Sequence, residues 1–272
     1  MKLRVILYCL LGGLPFTIAA LGAGHFILWW LPGILFAAAF VPVALFGPKK
    51  VFGQFSVILP VFLIITALCT WSEALIFVPG YGQRANRDLV GSVVMYLIFA
   101  TGLAILAASL KLSKLGESSV PHRTSVSSVF LILVSGLAYL VYYLIFGSIT
   151  YQFFTKGYYP EATQAVARLG LWFWVIQLAR GVLMTLAVLP IIYTLRMKRW
   201  HAAIAVGSLI WICGGAAPLL LPNEFMGTTQ RLIHTVEIFT QNFPLGVTAV
   251  LLLRPKSATV AANPPAGSVV PA

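Results

Sequence analysis

Of the 272 residues, 60% are hydrophobic and only 9% are charged, whereas soluble domains carry about a quarter charged residues, so a soluble fold is excluded by the apolar surface it would have to hide. The net charge of +12 comes in short clusters between apolar runs rather than as a basic stripe interleaved with aromatics, which excludes a nucleic-acid surface and makes the charge a signal of orientation. Cys9, Cys69 and Cys213 each sit inside an apolar run with no CxxC or Cys/His partner at ligand spacing, the pattern of small core residues.

The apolar runs are long enough to cross a hydrocarbon layer about 30 Å thick. In chain order they span roughly 5–24, 26–47, 51–77, 89–110, 126–153, 170–195, 202–222 and 231–253. Unpaired backbone groups are costly in lipid, and the short alternating segments of a barrel are absent, so each run is expected to be a helix. The fold class is therefore all-α, a single polytopic domain of eight helices over residues 1–254. The first run follows Met1-Lys2-Leu3-Arg4 and ends at Leu21-Gly22-Ala23-Gly24-His25; its length favours a retained first helix over a cleaved secretory signal.

Two connections are more than turns. Residues 154–169 carry Tyr158-Tyr159-Pro160-Glu161 ahead of the helix-forming stretch Ala162 to Leu169, which predicts a short helix lying on the outer surface. Residues 218–230 form a second outer excursion that leads into the most polar span. The tail 255–272, rich in Ala, Pro, Ser and Val without helical period, reads as disordered. Gly12-Gly13-Leu14-Pro15 and Gly214-Gly215-Ala216-Ala217-Pro218 look alike but fall at different places in the two halves, so they define no repeat.

Orientation follows from lysine and arginine. With both termini inside, Lys2, Arg4, Lys49, Lys50, Lys111, Lys114, Arg123, Arg196, Lys198, Arg199, Arg254 and Lys256 are cytoplasmic, twelve in all, against five outside: Arg84, Arg87, Lys156, Arg168 and Arg231. A wrong span count would flip every later loop and spoil this split. The expected setting is the plasma (inner) membrane, with the bilayer as the first partner.

The eighteenth basic residue, Arg180, lies inside the sixth span. Arginine keeps its charge almost anywhere, and near the middle of a span it needs a partner or water. Gln177, three residues earlier, shares its face. On the last span Arg231, His234, Glu237, Gln241 and Asn242 fall within one stripe of about 140° at 100° per residue. Glu237 lies at a depth similar to that of Arg180, and the two are expected to pair, directly or through water. Glu73, near the outer end of the third span, is the other intramembrane acid. With Tyr139, Tyr142, Tyr143 and Tyr151 on the fifth span and Tyr96 on the fourth, these residues predict a pocket in the outer half of the membrane. Trp29, Trp30, Trp71, Trp172, Trp174 and Trp200 read as interfacial anchors.

Two ligands on one helix, His234 and Glu237, make no metal site by themselves, although His25 or Glu73 offers a third; no metal or cofactor is assigned. HExxH, paired aspartates in adjacent spans, Gly-x-Ser-x-Gly and Gly-rich phosphate loops are all absent, so no catalytic set is visible. The leading expectation is a protein that binds or transports a small polar or amphipathic molecule, anionic ones included, received from outside. One alternative is an intramembrane enzyme acting on a lipid or lipid-linked group, with His234 as general base and Glu237 as its orienter. Another is a non-catalytic subunit or sensor whose polar cluster only packs helices. The chain is short for two pseudo-symmetric transporter halves, so a homodimer or a partner membrane subunit is expected.

Overall fold

The computed structural model describes residues 1–19, 26–78, 80–114, 125–157, 162–221 and 226–255. Within them the chain is helical nearly throughout: α1 (Lys2–Ala19), α2 (Phe26–Ala39), α3 (Val41–Phe46), α4 (Val51–Pro60), α5 (Thr70–Phe77), α6 (Ala85–Ser109), α7 (Ser125–Thr150), α8 (Ala162–Leu169), α9 (Leu171–Thr194), α10 (Arg199–Trp211) and α11 (Thr228–Leu253). A π-helical stretch, Val61–Cys69, joins α4 to α5, and two more, Tyr151–Thr155 and Ile212–Ala216, extend α7 and α10.

Among the described residues seven helical stretches are long and apolar enough to cross a membrane: Ile27–Phe46, Val51–Phe77, Ala85–Ser109, Val126–Thr155, Leu171–Thr194, Arg199–Leu220 and Thr228–Leu253. The protein is thus an all-α, polytopic helix bundle. The expected first span, 5–24, is described only as α1, and its end with His25 lies outside the described residues, as do Glu117, Arg123, Tyr158 to Glu161 and the tail from Lys256 onward. The surface helix predicted after Glu161 is α8, which rests on α5 and α9.

Lipid tails are as apolar as leucine, so helices in a membrane gain little by hiding apolar surface from each other and must gain from close packing. Glycines make that packing possible at three crossings. A Cβ on Gly33 of α2 would lie 2.7 Å from the carbonyl oxygen of Gly13 in α1, one on Gly181 of α9 would lie 2.9 Å from the carbonyl oxygen of Gly136 in α7, and one on Gly246 of α11 would lie 2.6 Å from Cα of Gly207 in α10. Between α1, α2, α6 and the Val61–Cys69 stretch, Phe16, Phe36, Phe62, Tyr96 and Phe99 interlock, with Phe62 stacked on Tyr96 at 5.2 Å between centroids and 4° between planes. Tyr96, expected at the polar pocket, belongs instead to this aromatic core.

The basic connections gather at one end. The amide of Lys114 donates to the Leu45 carbonyl at 3.0 Å and that of Arg196 to the Phe46 carbonyl at 2.9 Å, while Arg254 donates from Nη2 to the Met197 carbonyl at 3.0 Å. Because α1 runs antiparallel to α2, as the Gly13–Gly33 and Gly12–Ala37 approaches require, Lys2 and Arg4 stand at this end too. The opposite end carries the Tyr81–Gln83 turn, α8 and the Pro218–Leu220 turn. Trp172 and Trp200 are exposed, whereas Trp30 and Trp71 spend their indole N–H on the Leu10 and Ala85 carbonyls.

Candidate functional site

Arg180 stands nine residues beyond Leu171, the first residue of α9, which is about 14 Å along the helix axis. Its side chain is 9% exposed. A guanidinium there must be answered by acceptors, and two converge on Nη1: Glu73 Oε1 at 2.6 Å and Gln177 Oε1 at 2.7 Å. The guanidinium also lies over the ring of Tyr139, 6.0 Å from its centroid, with Cys69 beside it. Gln177 is fully buried, and both its Nε2 and the Nε of Arg180 are buried without a hydrogen-bond partner among the described residues.

Arg180 and Glu237, expected to pair directly or through water, make no direct contact. Glu237 is held on its own helix, where Oε2 meets His234 Nδ1 at 2.9 Å and Oε1 accepts from Gln241 Nε2 at 3.4 Å. The three residues lie at i, i+3 and i+7, one face of α11. Glu73, not Glu237, is the acid in contact with Arg180. The Val61–Cys69 stretch below it is π-helical, which turns less per residue than an α-helix and shifts the face on which Glu73 emerges. Pro60, which supplies no N–H, opens that stretch.

The two polar groups are neighbours without being bonded. Glu73 and Arg180 lie within electrostatic reach of His234, and Tyr143 lies within reach of Glu73, Arg180 and Glu237 together. Gly147 of α7 borders the Glu237 group: a Cβ there would meet Gln241 Nε2 at 3.5 Å, Glu237 Oε1 at 3.8 Å and Tyr143 Cδ1 at 4.0 Å. The side chains of Glu73, His234 and Glu237 remain 24%, 23% and 15% exposed, so the acids and the imidazole reach the edge of the cluster while Arg180 and Gln177 form its floor.

Four of the expected pocket residues point elsewhere. Arg231 donates to the carbonyls of Leu219 and Leu220 at 3.3 and 3.2 Å and to Thr228 Oγ1 at 3.2 Å, holding the Pro218–Leu220 turn against the start of α11. Asn242 turns toward α10, donating to the Ile210 carbonyl at 3.5 Å and filling the space left by Gly214. Tyr142 shares a hydrogen bond with Thr248, 2.9 Å away on α11, and Tyr151 bonds Thr163 of α8 at 2.7 Å. The cluster is therefore Glu73, Gln177, Arg180, His234, Glu237 and Gln241, with Tyr139, Tyr143 and Gly147 as its walls. Gly147 and Cys69 carry no polar side-chain signal in the sequence, and only a partner's position reveals them. Among the described residues no three His, Cys, Asp or Glu side chains gather as metal ligands.

Fold and cluster together define a polytopic integral membrane protein with ionisable groups buried between its helices. Comparison with protein-family models, with curated proteins and with solved structures finds no match.

Proposed function

We propose that the protein binds or transports a small polar or amphipathic molecule at the Glu73–Arg180–Glu237 cluster. In this reading the chain crosses the plasma (inner) membrane eight times, α1 being the first crossing, with both termini and the basic end in the cytoplasm. The cluster then opens to the outside. The observation that carries the reading is the pair of buried N–H donors, on Arg180 Nε and Gln177 Nε2, that no acceptor among the described residues answers. A buried donor without a partner costs about 1–3 kcal/mol, and a ligand oxygen beside Arg180 removes that cost.

Charge balance adds a mechanism. With His234 neutral the cluster holds one positive charge, on Arg180, against two carboxylates, Glu73 and Glu237. An anionic ligand entering beside Arg180 adds a third negative charge, and a proton taken up by His234 compensates it. Histidine is the side chain whose ordinary titration range permits this near neutral pH. Binding of an anion and uptake of a proton are thereby coupled. The test is uptake by proteoliposomes offered a panel of small carboxylate and phosphate-bearing solutes over a range from mildly acidic to mildly alkaline pH. Uptake is expected to rise as pH falls and to lose that dependence in His234→Gln; an unchanged pH profile in that variant contradicts the coupling.

A second reading is supported by the 2.9 Å contact between His234 Nδ1 and Glu237 Oε2. A carboxylate on one ring nitrogen orients the imidazole and leaves Nε2 as a base, the arrangement a lipid-modifying enzyme would use. A changed lipid profile in cells carrying Glu237→Gln, with no solute flux in proteoliposomes, selects this reading.

A further inference from the structure

At the basic end of the bundle α10 begins beside the last turn of α11. Arg199, the first residue of α10, donates from Nη2 to the carbonyl of Leu251, and Arg254, just past α11, donates from Nη2 to the carbonyl of Met197 at 3.0 Å. Each guanidinium thus reaches the backbone just ahead of the other. Carbonyls at a helix C-terminus favour a cation but carry only partial charge, so two full positive charges are left side by side.

Two arginines at the other end show what an acid partner would supply: Arg180 has Glu73 at 2.6 Å and Arg84, just ahead of α6, has Asp88 at 3.5 Å. Among the described residues the acids are Glu73, Asp88 and Glu237, and all three belong to the opposite half of the bundle. Arg254 is only 8% exposed, and Arg254 Nη1 and Arg199 Nε are buried without a hydrogen-bond partner among the described residues. Burial, with Arg199 adding to it, lowers the pKa of Arg254, the direction expected of a cation held without a counter-charge.

A planar guanidinium fork matches the oxygens of a phosphate group, and two forks converging from different helices match it better than a lone lysine can. We propose that Arg199 and Arg254 form a phosphate-binding site between the start of α10 and the end of α11, filled either by the phosphate of an anionic phospholipid headgroup or by soluble phosphate. Basic pockets between helices at the cytoplasmic face are where headgroups bind. The site clamps α10 to α11 beyond the Gly207–Gly246 crossing and is independent of the outer cluster, so either can fail without the other.

The experiment uses the full chain, purified in a neutral detergent and stripped of lipid. Its thermal midpoint is followed while phosphatidylglycerol, phosphatidylcholine or inorganic phosphate is added. Phosphatidylglycerol is expected to raise the midpoint, phosphatidylcholine to have no effect, and Arg199→Gln/Arg254→Gln to need about tenfold more anionic lipid for the same rise. Lys49→Gln/Lys50→Gln removes the same charge from the same end and is expected to respond as the unaltered protein does. A rise with inorganic phosphate alone, lost in the double arginine variant, upholds the site and assigns it to soluble phosphate. Equal loss in the lysine variant means diffuse attraction to the basic face and overturns the proposal. Should the double variant fail to fold, Arg254→Lys keeps the charge but loses the fork; a weakened response there upholds the site, and an unchanged one overturns it. Glu117→Gln is expected to change nothing; a lipid response that appears only in that variant means its carboxylate fills the site, and overturns the proposal.

Discussion

The ion pair at the floor of the Glu73–Arg180–Glu237 cluster makes an asymmetric prediction. Removing one partner of a buried pair leaves the other charge uncompensated and costs about 3–5 kcal/mol when that charge is fully enclosed. Arg180 is enclosed, with its side chain 9% exposed, and keeps its charge, whereas Glu73 is 24% exposed at the edge of the cluster. Glu73→Gln should therefore cost about 3–4 kcal/mol, Gln retaining an acceptor for Nη1 but no charge. Arg180→Gln should cost only about 1–2 kcal/mol, since surface-accessible charges are screened. In the double variant the amides can bond each other, and about 2 kcal/mol of the summed loss should return. Unfolding of the four proteins in mixed micelles, followed by tryptophan fluorescence, gives all three differences. Strict additivity, or a larger loss for Arg180→Gln than for Glu73→Gln, contradicts the pairing and the burial assigned to it.

Three further outcomes follow from local geometry. Gly147→Ala places its Cβ at ordinary contact distance, 3.5 Å from Gln241 Nε2 and 3.8 Å from Glu237 Oε1, and should leave solute uptake intact, while Gly147→Phe should abolish uptake without loss of the folded peak on size exclusion. Gly33→Ala would bring its Cβ to 2.7 Å from the Gly13 carbonyl oxygen and should cost about 1–3 kcal/mol by overpacking. Gly91→Ala, on α6 with nothing within 4 Å, should leave stability unchanged or raise it by up to about 1 kcal/mol; the same unfolding assay compares the two. His234→Ala frees Glu237 Oε2 and should bring Arg180 and Glu237 variants into measurable energetic coupling that the unaltered protein lacks, as read from a double-variant cycle in each background.

What the sequence reveals of this molecule is set by the range of its regularities. The contacts within one helix turn are readable: Gln177 with Arg180 and His234 with Glu237 each sit three residues apart, and both pairs are bonded. The short helix after the fifth long span is readable because Pro160 and Glu161 mark a helix start in the sequence, and α8 begins at Ala162. Contacts between helices are not. Glu73 meets Arg180 across two helices, and the π-helical Val61–Cys69 stretch below it departs from the regular α-helical turn. Asn242 shares the polar stripe of α11 with Gln241 by angle, yet the gap at Gly214 draws it toward α10. Arg231 belongs to the stripe by angle as well, but the carbonyls of Leu219 and Leu220 claim it from outside. In each case the missing information is the position of a second backbone, which no single helix encodes.

Whether the cluster faces outer water is decided most directly by thiol accessibility. In a background with Cys9, Cys69 and Cys213 replaced by alanine, His234→Cys is treated in intact cells with a membrane-impermeant maleimide. The proposal predicts labelling from outside, suppressed by Gly147→Phe, and no labelling of Lys198→Cys, which is exposed at the basic end. A His234→Cys protein that stays unlabelled until the membrane is opened would contradict it.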